Sequence, residues 1–69
     1  HSKTLIFGEV GLGGEVRPVV RGQERIQEAI KLGFKRIILP RKNLPKKTTH
    51  DVELIPVDNI KNALNEAFK

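Results

Sequence analysis

The spacing of apolar residues changes along the chain, and these changes predict the order of its elements. Residues 4–10 (TLIFGEV) and 15–20 (EVRPVV) are rich in β-forming residues and flank a glycine-rich segment at residues 11–14 (GLGG). Because glycine tolerates the backbone angles of tight turns, this pattern predicts a β-hairpin. Pro18 cannot donate a hydrogen bond to a neighbouring strand, so we expect it at an edge, a bulge or the end of the second strand.

Residues 22–32 (GQERIQEAIKL) have the spacing of an amphipathic helix. Ile26, Ala29 and Ile30 recur at i, i+3 and i+4, which places them on one face, while the residues between them are polar. Gly33 follows at the position where many helices end in a left-handed conformation. We therefore predict one helix that packs through a single apolar face and ends at Gly33.

Two later apolar runs predict further strands. Residues 34–39 (FKRIIL) form a short run closed by Pro40, as in a buried strand, and residues 52–57 (VELIPV) form a last strand. A strand, a helix and a second strand in succession predict parallel pairing, here of residues 15–20 with residues 34–39.

The remaining segments predict a loop and a final helix. Residues 41–51 (RKNLPKKTTHD) are polar and basic, so they predict a loop. Asp58 is expected to cap a helix. The apolar face of that helix comprises Ile60, Ala63, Leu64, Ala67 and Phe68. The predicted fold class is α/β (α+β), with a β-hairpin, a helix, two further strands and a C-terminal helix.

The composition restricts the setting in which the chain works. It has 69 residues and no cysteine, which excludes disulfides and thiolate metal sites. No apolar run approaches the length of a membrane span or a signal-peptide core, so we expect a soluble, cytoplasmic chain without a secretion signal. We interpret residues 1–2 as the remnant of an expression tag and residues 3–69 as one structural unit.

Most catalytic and metal-binding arrangements are missing from the sequence. The glycines of residues 8–14 lack the spacing of a phosphate-binding loop and fit a hairpin turn. His50 has no second ligand at a suitable spacing, so no metal site is predicted. Glu9 and Glu15 could form an acid–base pair across the hairpin, although solvated surface acids are the commoner case. Residues 48–51 (TTHD) lie on one flexible stretch, which cannot hold a catalytic triad.

Positive charge is the strongest chemical signal. The chain carries a net charge of +5, and no acid lies between Ala29 and His50, where seven lysines and arginines occur. Such a surface attracts polyanions, so charge alone leaves two alternatives open, contact with nucleic acid and a basic loop that is only solvated. Without Trp or Tyr, contact with the sugar–phosphate backbone is favoured over base stacking. The candidate phosphate contacts are Arg17, Arg21, Arg25, Lys35, Arg36, Arg41, Lys42, Lys46 and Lys47.

Several motifs together resemble the C-terminal region of the RadA (Sms) family of bacterial DNA repair proteins. They are residues 7–19 (FGEVGLGGEVRPV), 23–25 (QER), 31–36 (KLGFKR), 38–40 (ILP), 43–47 (NLPKK), Val57 and residues 63–64 (AL). The resemblance extends over residues 4–68. It implies that the chain is the latter part of a domain that is itself similar to the proteolytic domain of Lon protease.

The resemblance to Lon also implies a loss of peptidase chemistry. Lon has a similar hairpin and proline, followed by a helix start that carries the lysine of its Ser-Lys dyad. Aligned on Pro18, this position is Gln23, whose amide cannot act as a general base, and the serine would lie upstream of residue 1. We therefore expect no enzymatic activity in this segment and regard a Lon-type peptidase fragment as the disfavoured alternative.

The RadA resemblance implies functions for a longer parent protein. Members of this family carry a zinc motif and a RecA-like ATPase core, form hexameric rings and drive branch migration in DNA recombination. ATP, magnesium and zinc are thus implied for the parent, and no cofactor is expected within these 69 residues. The first hypothesis is a non-catalytic segment that binds DNA without sequence specificity and supports the ring. The alternative is a purely structural oligomerisation module without DNA contact.

Overall fold

Seven helices and strands make up the fold in a computed structural model, which describes residues 4–46 and 52–68. The elements in chain order are β1 (Thr4–Ile6), β2 (Glu9–Val10), β3 (Val16–Arg17), α1 (Gly22–Lys31), β4 (Arg36–Pro40), β5 (Glu53–Val57) and α2 (Ile60–Ala67). A short 3-10 turn, Arg41–Asn43, follows β4 directly. This arrangement confirms the predicted mixture of helices with parallel and antiparallel strands.

A three-stranded parallel sheet forms the centre of the molecule, in the order β1-β4-β5. Ile37, Ile38 and Leu39 of the middle strand have no exposed surface, which explains why this stretch is an uninterrupted apolar run. Alternate residues of a strand face opposite sides, so β4 supplies both cores. Ile37 and Leu39 pack with Ile26 and Ala29 of α1.

The second core lies on the other face of the same sheet. Ile38 packs there with Val57 of β5 and Ala63 of α2, and Val16 of the hairpin contacts the same cluster. The sheet is therefore covered by α1 on one side and by α2 with the hairpin on the other. The α1 face predicted from periodicity is confirmed, and Gly33 ends that helix with a positive φ of 90°.

The first predicted strand is divided in two. Residues 4–10 do not form one hairpin arm: β1 belongs to the parallel sheet, and only β2 pairs with β3 in an antiparallel hairpin. The chain bends at Gly8, which has a φ of 151°. The side chains of Val16 and Pro40 lie so close to Gly8 that they leave little room for a Cβ atom. A residue with a Cβ atom would be strained here, so Gly8 permits the change of sheet.

Three further expectations are wrong. The strand before α1 does not pair with β4; the parallel neighbours of β4 are β1 and β5. The cap of α2 is Asn59, whose Oδ1 accepts a hydrogen bond from the Asn62 backbone nitrogen at 2.8 Å, and not Asp58. Glu9 lies opposite Arg17 in the hairpin, so it does not face Glu15.

Candidate nucleic-acid interface

The carboxyl ends of the parallel strands meet the start of α1 at one edge of the molecule. The 3-10 turn continues from the carboxyl end of β4, and its last residue, Asn43, contacts the loop that leads into α1. The hairpin packs at the same edge, because the backbone nitrogen of Val16 donates to the carbonyl of Asp58, just beyond β5. We call this region the carboxyl edge.

Six of the nine predicted phosphate contacts lie at the carboxyl edge. They are Arg17 on β3, Arg21 and Arg25 at the start of α1, Arg41 and Lys42 in the 3-10 turn, and Lys46 beyond it. These residues come from three separate stretches of sequence, which the fold brings to one edge. The prediction for Lys47 lies outside the described residues, as do those for His50 and residues 48–51.

The other two predicted contacts lie at the opposite edge. Lys35 and Arg36 are at the start of β4, whereas Lys42 follows its end. A strand of this length extends about 16 Å, so the two groups cannot contact one short stretch of phosphates together. Arg36 is also occupied, because it lies 3.5 Å from Glu53 and donates to the carbonyl of Glu66 at 3.1 Å. The structure therefore does not unite all nine residues.

Two arginines at the carboxyl edge already have acidic partners. Arg41 donates two hydrogen bonds to Asp58, at 3.0 and 3.2 Å, in the bidentate geometry that suits a carboxylate. This contact lowers the pKa of Asp58 and raises the pKa of Arg41. Arg17 donates to Glu15 at 2.8 Å, and that hydrogen bond is the main reason why the pKa of Glu15 is lowered. Their charge is thus partly neutralised.

The remaining cations of the carboxyl edge are available. In the described part of the chain, Arg21, Arg25, Lys42 and Lys46 are exposed and form no ion pair. Arg21 and Arg25 line a shallow depression on α1 together with Glu24 and Glu28, so acidic groups moderate the potential on that side. Lys42 and Lys46 belong to a stretch, residues 41–46, that contains no acidic residue.

Gln23 stands at the position where the resemblance to Lon would require a lysine. Gln23 is the second residue of α1 and is exposed to solvent. Its neutral amide supplies no general base. In residues 4–46 and 52–68, no group of three or more His, Cys, Asp or Glu side chains is arranged to hold a metal ion. No helix among these residues is long and apolar enough to cross a membrane.

Comparison with known proteins points to one family. Residues 1–69 match the family model described as the Lon protease (S16) C-terminal proteolytic domain. The chain is 52% identical over 65 residues to DNA repair protein RadA of Pseudomonas aeruginosa, covering 94% of this chain and 14% of that protein. It is 51% identical over 61 residues to DNA repair protein RadA of Escherichia coli, covering 88% of this chain and 13% of the relative.

A third relative has a similar identity. DNA repair protein RadA of Bacillus subtilis is 53% identical over 63 residues, covering 90% of this chain and 14% of the relative. The chain therefore spans about one-seventh of the length of the curated relatives that it matches. This agreement confirms the resemblance inferred from the hairpin and from the residues that follow it.

Proposed function

The chain belongs to the Lon protease (S16) C-terminal proteolytic domain family, and from this premise we propose that it is a non-catalytic, DNA-contacting segment of a RadA-like DNA repair protein. The relatives that it matches over most of its length are named DNA repair protein RadA. The single observation that carries DNA contact is the group of exposed cations without acidic partners, Arg21, Arg25, Lys42 and Lys46, at the carboxyl edge.

The proposed ligand is the sugar–phosphate backbone, contacted without regard to base sequence. Lysine and arginine bind phosphate through charge, whereas sequence readout requires side chains that reach the base edges. The chain has no Trp or Tyr and three phenylalanines, so it is poor in the large aromatic side chains on which bases stack. Phe7 and Phe34 pack against the α1 core, whereas Phe68 is 84% exposed after α2, so a single phenylalanine is available and it forms no stacking platform. Electrostatic contact with duplex or single-stranded DNA is therefore the proposed mode.

The absence of peptidase activity in this segment is likewise proposed. It rests on Gln23, which stands where the resemblance to Lon would require a lysine. The longer protein is proposed to be a cytoplasmic, hexameric ATPase that acts in DNA recombination by branch migration. Any site for ATP, magnesium or zinc is assigned to parts of that protein beyond these 69 residues.

Titration of labelled DNA with the chain tests the proposal. If four cations each neutralise one phosphate, the logarithm of the binding constant should fall against the logarithm of salt concentration with a slope of about −3.6 for duplex DNA or about −2.8 for single strands. Anisotropy of a fluorescent duplex, measured between about 50 and 200 mM salt, gives this slope. No binding at the lowest salt concentration would remove the DNA role from this segment.

An apolar groove supports a second candidate function, that of a structural module for assembly. Ile6, Val10 and Ile60 line a cavity of about 110 Å³ between β1, the hairpin and α2, and each is more than one-third exposed. Neighbouring exposed apolar residues gain free energy when a second protein surface covers them. Reversing the charge at Lys46 and Lys47 should abolish DNA binding under the first proposal and leave assembly of the longer protein intact under both.

A further inference from the structure

Asn43 joins two segments that are 24 positions apart in sequence. Its Oδ1 accepts a hydrogen bond from the backbone nitrogen of Val19 at 2.8 Å, and its Nδ2 donates to the carbonyl of the same residue at 3.0 Å. One side-chain amide thus satisfies both polar groups of a backbone residue in the loop between β3 and α1. Asn and Gln are the side chains that can supply a carbonyl acceptor and an amide donor together in this way.

Close packing holds the same side chain in place. Gly22, the first residue of α1, lies against Asn43: a Cβ atom added at this glycine would clash with Nδ2 and approach Cγ to 2.9 Å. Gly22 is buried, and Asn43 is partly buried. The carboxamide therefore fits into space that only a glycine leaves open, and its orientation is fixed by contacts on two sides.

These contacts determine the relative position of two basic segments. Arg21 lies between Val19 and Gly22, which both meet Asn43, and Lys42 is the neighbour of Asn43 in the 3-10 turn. The turn is itself fixed, because the Leu44 backbone nitrogen donates to the carbonyl of Arg41 at 3.1 Å. Asn43 is consequently the hydrogen-bonded link between the cations of α1 and those beyond β4.

We propose that Asn43 is a positioning residue that aligns Arg21 and Arg25 with Lys42 and Lys46 as one phosphate-contacting surface. This inference rests on the proposed DNA contact and adds to it a residue that carries no charge. When two groups of cations are held rigidly, both can bind the same stretch of backbone without a further loss of conformational freedom. When the link is broken, each group binds on its own, and fewer phosphates are neutralised at once.

The variant Asn43→Ala tests this role because it leaves the net charge unchanged. We expect duplex binding to weaken about two- to tenfold, because the unlinked segments must be ordered during binding. The expected cost is comparable with that of immobilising one long side chain. We also expect the salt slope to become shallower by about 0.9 for each phosphate contact that is lost. A purely structural role would lower thermal stability and leave the slope of the folded protein unchanged. Asn62→Ala is the matched control, since it removes an exposed carboxamide from α2.

A second variant disrupts the contact between Asn43 and Val19 without changing Asn43 itself. Gly22→Ala keeps every hydrogen-bonding group and displaces the Asn43 side chain by steric contact, so it should reproduce the shallower slope. Amide hydrogen exchange at Val19 confirms, without any DNA, that the link has been opened in either variant.

The possible outcomes separate this inference from the proposed function. If the unaltered chain fails to bind DNA at low salt, the proposed function falls and this role falls with it. If the unaltered chain binds, and folded variants with fast exchange at Val19 bind with the same affinity and slope, the positioning role of Asn43 is overturned while DNA contact stands. A shallower slope in both variants, with Asn62→Ala unchanged, supports the role.

Discussion

Asp58 controls how much positive charge Arg41 can offer to a ligand. The two side chains form a bidentate pair at the carboxyl edge, and both are more than half exposed. An exposed pair contributes little to stability because water and salt screen it. Its larger consequence is electrostatic, since a guanidinium that is bound to a carboxylate contributes less to the attraction of phosphate.

Replacing Asp58 with asparagine should therefore strengthen DNA binding. Asp58→Asn removes a negative charge and frees the guanidinium of Arg41, so we expect tighter binding and a salt slope that is steeper by about 0.9 for one added duplex phosphate contact. Fluorescence anisotropy over a salt series measures both quantities. Glu53→Gln is the matched control: it releases Arg36 at the opposite edge. An equal effect of the two changes would contradict the assignment of the site to the carboxyl edge.

The same pair should show a defined dependence on pH. The hydrogen bonds from Arg41 lower the pKa of Asp58 in the folded state. A group with a lowered folded pKa stabilises the fold at pH values above its unfolded pKa of about 3.9, and this contribution is lost as the pH falls through the folded pKa. In Arg41→Met, we expect the pKa of Asp58 to rise toward its ordinary value. Carbon-detected NMR of the Asp58 carboxyl follows this titration, and an unchanged pKa would exclude the pair in solution.

At the scale of the elements, α2 depends on a cap that local sequence signals did not select. Asp58 and Asn59 are adjacent, and either side chain can accept a hydrogen bond from the first turn of a helix. Asn59 is the cap, because the Asp58 side chain is bound to Arg41 and the Asp58 carbonyl accepts a hydrogen bond from the Val16 backbone nitrogen. The hairpin therefore decides where α2 begins.

Loss of this cap should destabilise the molecule by a measurable amount. Asn59→Ala leaves the Asn62 backbone nitrogen without its acceptor, so we expect a decrease of about 1 kcal/mol in the free energy of unfolding. Urea denaturation, followed by circular dichroism, measures this difference. Asn62→Ala changes an exposed position of the same helix and retains the cap, so its stability should be close to that of the unaltered chain. Equal losses in the two variants would show that the cap is not formed.

Positive charge is distributed unevenly between the two ends of the parallel sheet. The free cations Arg21, Arg25, Lys42 and Lys46 belong to the carboxyl edge, whereas Lys31 and Lys35 lie near the opposite end of the sheet. The radius of gyration is 11.3 Å, close to the value of about 11 Å for a compact chain of this length. In a molecule of this size, a ligand that binds by net charge alone would lose the same affinity whichever edge loses its positive charge.

A pair of matched charge reversals distinguishes a site from net charge. Lys42→Glu/Lys46→Glu and Lys31→Glu/Lys35→Glu change the total charge by the same amount, and all four lysines are exposed. We expect the variant at Lys42 and Lys46 to lose most of its affinity for duplex DNA. The variant at Lys31 and Lys35 should lose little affinity, because salt screens charges that are distant from the bound DNA. Equal losses in an electrophoretic or anisotropy titration would reduce the interface to non-specific attraction.

Much of the fold and part of the site could be predicted from periodicity and residue type. The apolar face of α1, the burial of the central strand and the glycine that ends α1 follow from local spacing, because each reflects how one element meets a core. The abundance of positive charge is likewise a property of composition. These features need no knowledge of which elements become neighbours.

Contacts between residues that are distant in sequence could not be predicted. The pairing of β1 with β4, the bond between Arg41 and Asp58, and the link from Asn43 to Val19 each join residues that are far apart in sequence. Such contacts depend on the path of the chain through space, and a local pattern carries no information about that path. For this reason the basic character and the α/β layers follow from residue type and spacing, whereas the choice of cations that stay unpaired at one edge follows from the three-dimensional arrangement.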